Sequence, residues 1–292
     1  MLRSFTILLL FLAAQTCCSQ TYESEIRKAG NAYDKKNYDS CSFYFSKAFT
    51  LQTPAGPDLY NAAVCNILNG NTRQTFDLLF RAIKNGANIS KLRIDPDFES
   101  LHRSSQWKRL LKEANRIQID SFTTYQYPSY AAQLAKLWEA DQSIRFRLAN
   151  AYKNNDTILA NKLWQKMRRS DSIVLLKFQP ILDSIGWPTR SKVGSRGAAT
   201  AFLIIDHSPR EVMEKYFPLL EAAAKKGESS LSNYATMKDR ILVNRGKKQV
   251  YGTQKYWDSK QAKFVFFGIE DEKNVNKLRK EVGLELLKEF EQ

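Results

Sequence analysis

The chain has 292 residues, 43% of them hydrophobic, with 26% charged residues and a formal net charge of +15. That length exceeds what one modest hydrophobic core serves and predicts two domains. The basic residues are spread along the whole chain without a nucleic-acid-binding motif, so the charge predicts a solvated basic surface, drawn at most to anionic envelope polymers or lipid and not to nucleic acid.

Residues 1–20, MLRSFTILLLFLAAQTCCSQ, combine a basic start at Arg3, an apolar run from Phe5 to Ala14 and a small polar end. This is the layout of a secretory signal peptide, and the apolar run is too short to span a bilayer. Cleavage after Gln20 predicts a periplasmic or secreted protein without a transmembrane segment in its mature form. The Ser-Gln ending resembles the export signals of Bacteroidetes-type bacteria. Lipid anchoring through Cys17 or Cys18 is the less favoured alternative, because AQT is a poor lipidation context. The mature chain then keeps Cys41 and Cys65. An oxidising compartment permits a disulfide between them, while their small-residue positions in a helical pattern suit buried thiols equally well. No CxxC pair or Cys/His cluster is present, so no metal site is expected.

Residues 21–115 read as helical hairpins. AGNAYDKKNYDSCSFYFSKAF places Gly30 and Tyr33 on one helix and Tyr38, Cys41, Phe45 and Ala48 on the next. LYNAAVCNILNGNTRQTFDLLFRAI repeats that grammar, with Ala62, Ala63 and Cys65, a Gly70-Asn71 turn, then Thr75, Leu79 and Ala82. The pair resembles tetratricopeptide repeats. The resemblance implies docking of an envelope protein or peptide, with Asn31, Lys35, Asn61 and Asn66 as candidate contacts. The following GANISKLRIDPDFESLHRSSQWKRLL resembles the segment that closes such arrays, in which Phe98, Leu101, Trp107 and Leu110 cover the apolar edge. His102 within it reads as a surface or capping histidine.

An irregular aromatic run, IDSFTTYQYPSY, marks a linker over about 116–130. The domain expected over 131–292 opens with a helix whose Leu134, Leu137, Trp138, Ile144, Phe146 and Leu148 leave a polar strip carrying Asp141, Gln142 and Arg145. A second helix runs from about Thr157 to Asp183 and stops at Gly186-Trp187-Pro188. A third spans about Gly197 to His207, and Ser208-Pro209 opens a fourth, with Ser208 as N-cap. His207 thus falls at a helix corner, where the negative end of the helix dipole suits a proton-handling group. Asp239 and Arg240 occupy adjacent helical positions and diverge by about 100°. Alternation at Gln249, Val250 and Tyr251, and again from Lys263 to Phe267, predicts a small β-hairpin, with Gly252 allowing a bend. GSRGA does not match a dinucleotide glycine pattern, and no cofactor is expected.

The elements DQSIR (141–145), GWP (186–188), VG (193–194), His207, DR (239–240), GKKQVYGTQ (246–254) and NVNKLRKEVGL (274–284) occur in an order that resembles a bacterial family known only as a domain of unknown function, over about residues 130–290. Asn276 departs from that pattern, which has an acidic residue there. The resemblance singles out polar residues where core upkeep would favour apolar ones. His207 and Asp239 are the candidate catalytic pair, as base and orienting group. Gln142, Arg145, Arg240, Gln249, Tyr251, Gln254 and Arg279 are candidate ligand-binding residues for a small anionic or amide-containing molecule. The expected architecture is mainly α: tetratricopeptide-like hairpins followed by a helical domain with a small β-hairpin. The function expected is a polar ligand pocket, with hydrolysis as its possible chemistry; the alternative is a non-catalytic interaction module.

Overall fold

The structure is a computed structural model that describes residues 21–261 and 263–288. The expected signal peptide lies outside the described residues. The architecture is mainly α with one two-stranded antiparallel sheet. The chain divides into two compact units, Met1–Ala87 and Asn88–Gln292.

The first unit contains two helical hairpins. Helix α1 (Tyr22–Asp34) pairs with α2 (Tyr38–Leu51), and α3 (Gly56–Leu68) pairs with α4 (Thr72–Lys84), with α2 also packed on α3. Their start points follow from capping: the Thr21 side chain accepts from the Ser24 N–H, and Asn37 from the Ser40 N–H, satisfying donors that a first helical turn leaves over. Small residues face the contacts, with Ala29, Ala48, Ala63 and Ala82 fully buried. Cys41 of α2 and Cys65 of α3 form a disulfide, with Cα atoms 5.9 Å apart, which decides the question the sequence left open. Of the candidate docking residues, Asn31, Lys35 and Asn61 are exposed. Asn66 is not available: it is buried and its amide donates to the Ala62 carbonyl at 2.9 Å, one turn earlier on the same helix.

Residues expected to close the repeat array belong to the second unit instead. Helix α5 (Ile89–Ile94), a 3-10 turn (Pro96–Leu101) and α6 (Ser105–Phe122) pack toward α7 (Pro128–Lys153), and Arg93 of α5 is ion-paired with Glu139 of α7. The expected linker is therefore helical up to Phe122, followed by a short turn that Pro128 ends at the first position of α7.

Helix α8 (Thr157–Ile185) returns along α7 and stops at Gly186, whose φ of 65° is the left-handed conformation glycine tolerates. Helix α9 (Arg190–Asp206) packs on α7, and α10 (Arg210–Lys225) pairs with α11 (Leu231–Asn244). Phe178, Ile205, Leu220 and Met237 sit in the core these helices share. Helix α9 kinks at Gly194, with φ 77° and ψ 166°; a Cβ there would also lie 2.4 Å from the Tyr125 ring, so both backbone and space require glycine. Pro209, not Ser208, precedes α10 as its N-cap residue; the Ser208 hydroxyl instead donates back to the Ile204 carbonyl at 2.7 Å.

The hairpin is displaced from its expected place. Its strands are β1 (Lys255–Asp258) and β2 (Lys263–Phe266), with Trp257 opposite Phe264. Residues 250–254 form a loop because the N–H groups of Val250, Tyr251, Thr253 and Gln254 are claimed by side chains, while Gln249 keeps a single parallel bridge to Ile269, donating to the Gly268 carbonyl at 2.9 Å. Helix α12 (Val275–Glu281) follows the hairpin.

Candidate functional site

Seven residues are close to two helical turns, so Leu134, Asp141 and Leu148 fall on one stripe of α7, and all three are buried. A carboxylate in an apolar stripe needs donors around it. Asp141, 1% exposed, has three. Arg145 Nη1 donates to its Oδ1 at 3.2 Å, the Gln142 amide donates to Oδ2 at 2.6 Å, and His207 Nδ1 lies 3.0 Å from Oδ1. An ionised carboxylate can only accept, so Nδ1 carries the proton in that contact. Neutral His207 then has its lone pair on Nε2.

Two further ion pairs flank this contact. Arg145 Nη2 meets Asp171 of α8 at 2.9 Å. Arg240 of α11 reaches back to Asp206 at the end of α9: Nη1 donates to its carbonyl at 3.1 Å and Nε lies 3.2 Å from Oδ1. The last contact is close but misdirected, since Asp206 Oδ1 and Arg240 Nε are buried without a hydrogen bond, as is Asp171 Oδ1. Buried polar atoms left in that state are few in folded proteins. Burial pushes the Asp206 carboxyl above the usual carboxylate range, and Arg240 and His207 offset this only in part. Burial raises Asp171 as well, against the opposing pull of Arg145.

These groups meet at a cleft of about 660 Å³. Arg145, Asp206, His207, Arg240, Asn244 and Gln254 supply its polar wall. Leu148, Trp164, Met167, Met213, Val243 and Phe267 supply the apolar one. The mixture of an apolar wall with a few convergent polar groups is what small-molecule sites typically have. His207, Arg240 and Gln254, separated by up to 47 positions in sequence, thus open onto one concavity.

The GKKQVYGTQ segment does different work. Asp239, fully buried, accepts from the N–H groups of Val250 (2.7 Å), Tyr251 (3.1 Å) and Thr253 (3.1 Å) and from the Thr253 hydroxyl (2.9 Å). Gln249, also fully buried, donates to the carbonyls of Gln254 (3.0 Å) and Phe267 (2.8 Å) and accepts from the Gln254 N–H (2.8 Å). Arg279 donates to the carbonyls of Tyr251 (2.7 Å), Gly252 (3.2 Å) and Glu285 (2.6 Å). Together they form a clasp that ties the loop from both edges.

A profile of a family of unknown function, DUF6624, matches residues 128–292, more than half the chain. The chain belongs to DUF6624. No curated protein and no solved structure matches it.

Five of the candidate residues in the DUF6624 domain, Asp239, Gln249, Arg279, Tyr251 and Gln142, lie away from the cleft wall. Asp239 does not orient His207, because its oxygens are taken by the clasp; Asp141 is the carboxylate at the imidazole. Gln249 and Arg279 are turned inward onto backbone carbonyls and do not line the cleft. Tyr251 is buried against Tyr234, with burial raising its phenol, and lies outside the cleft wall. Gln142 acts behind the cleft, on Asp141. Asn276 clamps the C-terminal segment by donating to the Leu287 carbonyl (3.0 Å) and accepting its N–H (2.8 Å). Asp141, expected on a polar strip of its helix and not among the candidate site residues, is instead buried in the stripe of Leu134 and Leu148. Its signal was a charged residue seven positions from a buried leucine on either side. Among the described residues no group of three or more His, Cys, Asp or Glu is placed to hold a metal ion.

Replacing Asp239 with alanine leaves the clasp's N–H groups without their acceptor, at a cost of about 1–3 kcal/mol for each buried donor. Denaturant titration of Asp239→Ala is expected to show a loss of about 3 kcal/mol or more; a change within about 0.5 kcal/mol would show that the clasp is not structural. The pH response of Asp206 has the opposite sign to that of a stabilised carboxylate. Its folded pKa is raised, so the folded protein holds a proton that the unfolded chain has released, and stability is lost as pH rises through that window. The stability of the wild type minus that of Asp206→Asn should therefore fall from acid to neutral pH. A difference that rises would mean that Arg240 outweighs burial.

Proposed function

We propose that the DUF6624 domain binds a small polar ligand in this cleft and that His207 moves a proton on it. The observation that carries the reading is the Asp141–His207 contact at the cleft wall: a buried carboxylate fixes the imidazole's tautomer and leaves Nε2 as the base. Arg145 is committed to two carboxylates. Arg240 is the better ligand group, since its Nη2 has no hydrogen bond to any described residue and its side chain is 35% exposed. Arg240 and Gln254 together suit an anionic or amide-bearing group, and the apolar wall suits the rest of a small molecule.

Ser208 is the sole hydroxyl among the described lining residues, and it is bonded to the Ile204 carbonyl. In a hydrolytic reaction the attacking group is accordingly water or a hydroxyl of the ligand, deprotonated by Nε2. The same region remains readable as a non-catalytic binding module, in which case His207 contributes a hydrogen bond alone.

Export is part of the proposal. The layout of residues 1–20 supports it, as does the Cys41–Cys65 disulfide, because such bonds persist in oxidising compartments. Among the described residues no helix is long and apolar enough to cross a membrane. The exposed Asn31, Lys35 and Asn61 fit docking of an envelope protein or peptide on the N-terminal hairpins, the tetratricopeptide-like role.

Native mass spectrometry of protein purified from its own host tests the pocket. The wild type is expected to retain a small molecule that is absent from Arg240→Ala, while His207→Ala retains it with altered turnover. Identical small-molecule content in wild type and Arg240→Ala, both folded, would remove the proposed site.

A further inference from the structure

The β1–β2 hairpin presents aromatic side chains to solvent where a soluble arm would present polar ones. In its register Trp257 faces Phe264 and Lys255 faces Phe266, so alternate residues place Lys255, Trp257, Phe264 and Phe266 on one face. Trp257 is 54% exposed and Phe264 65%. Their rings meet edge to face at 5.2 Å. No further layer covers them among the described residues, although both are among the largest apolar side chains available.

Charge surrounds this face asymmetrically. Lys255, Lys260 and Lys263 are exposed, and Lys255 lies over the Phe266 ring at 4.0 Å. The hairpin's acid, Asp258, is turned into its own bend, accepting from the N–H groups of Lys260 (2.8 Å) and Gln261 (3.2 Å). The outward field is thus positive, on a chain whose net charge is already +15. Exposed Trp and Phe with flanking lysines on a narrow projecting element is the composition that enters the boundary between headgroups and acyl chains of an anionic membrane.

We propose that this hairpin docks the protein onto an anionic lipid bilayer, with Trp257 and Phe264 inserted and Lys255, Lys260 and Lys263 at the headgroups. A lipid surface fits better than an anionic glycan. Phe264 has no polar edge with which to bond a sugar, and the edge-to-face pair gives no shared flat platform for a sugar ring. The arm also adjoins the cleft: Gln254 and Phe267, immediately outside β1 and β2, both line it, and Tyr256 packs on Phe267 with ring centroids 5.0 Å apart. Docking here brings the cleft to the membrane surface. The inference does not depend on what the cleft binds.

Vesicle sedimentation of the purified full chain tests it, comparing phosphatidylcholine vesicles with vesicles of phosphatidylcholine and phosphatidylglycerol. The wild type is expected to pellet with the anionic vesicles, and less so as salt is raised. Replacing Lys260 and Lys263 with glutamine should weaken partitioning roughly thirtyfold, at about 1 kcal/mol for each lysine near such a surface. The Trp257→Ser, Phe264→Ser double variant should weaken it about tenfold or more, given what burial of large apolar side chains contributes. Both pairs are exposed, and circular dichroism matching the wild type confirms that the variants are folded. Failure of the wild type to pellet, undiminished pelleting of folded variants, or binding through these residues to an insoluble anionic glycan but not to vesicles would each overturn the proposal.

Discussion

Asp141 is a nearly sealed carboxylate in the apolar stripe of α7, and a charge so placed is tolerated only where donors converge on it. Gln142 and Arg145 come from its own helix, while His207 comes from the end of α9. Because α9 packs on α7, the corner after α9 is held where the imidazole reaches the carboxylate. The rest of the polar wall follows from that contact. Arg145 recruits Asp171 from α8, and Asp206, next to His207, recruits Arg240 from α11.

Helix α11 links two polar systems with different duties. Adjacent positions on a helix point about 100° apart, so Asp239 turns to the buried loop and Arg240 to the cleft. The clasp built on Asp239, Gln249 and Arg279 holds the chain between α11 and β1 by its backbone, where side-chain packing alone would leave N–H and carbonyl groups unsatisfied. One result is positional: Gln254 and Phe267, at the two ends of the hairpin and bonded backbone to backbone at 3.2 Å, are set at the cleft wall. The segment therefore supports the cleft through Gln249 and the Asp239 clasp, while Gln254 at its end and Arg240 of α11 face the cleft itself.

The helices were legible because their apolar periodicity and stop signals are local; Gly186-Trp187-Pro188 ends α8 within two residues of the expected position. The hairpin was legible as an element but misplaced, since Val250 and Tyr251 alternate like a strand while their N–H groups bond to Asp239, a partner that local pattern does not reveal. Polar identity does not separate groups that hold backbone from groups that face solvent space. Gln249 and Gln254 illustrate this: five positions apart and chemically identical, one is fully buried and the other lines the cleft. The pairing of His207 with Asp141 instead of Asp239 depends on how α7 and α9 pack, 66 positions apart in sequence, and the buried stripe through Asp141 was the only local hint.

The proposed role of His207 rests on Asp141 fixing its tautomer at the cleft. The chain has only two histidines, His102 and His207, so nitrogen-15 NMR of histidine-labelled protein resolves each ring without crowding. At a pH where both are neutral, His207 should show a protonated Nδ1 and a bare Nε2, and Asp141→Asn should abolish that preference while leaving His102 unchanged. A His207 ring that carries its proton on Nε2, or that is indifferent to Asp141→Asn in a folded protein, would contradict it.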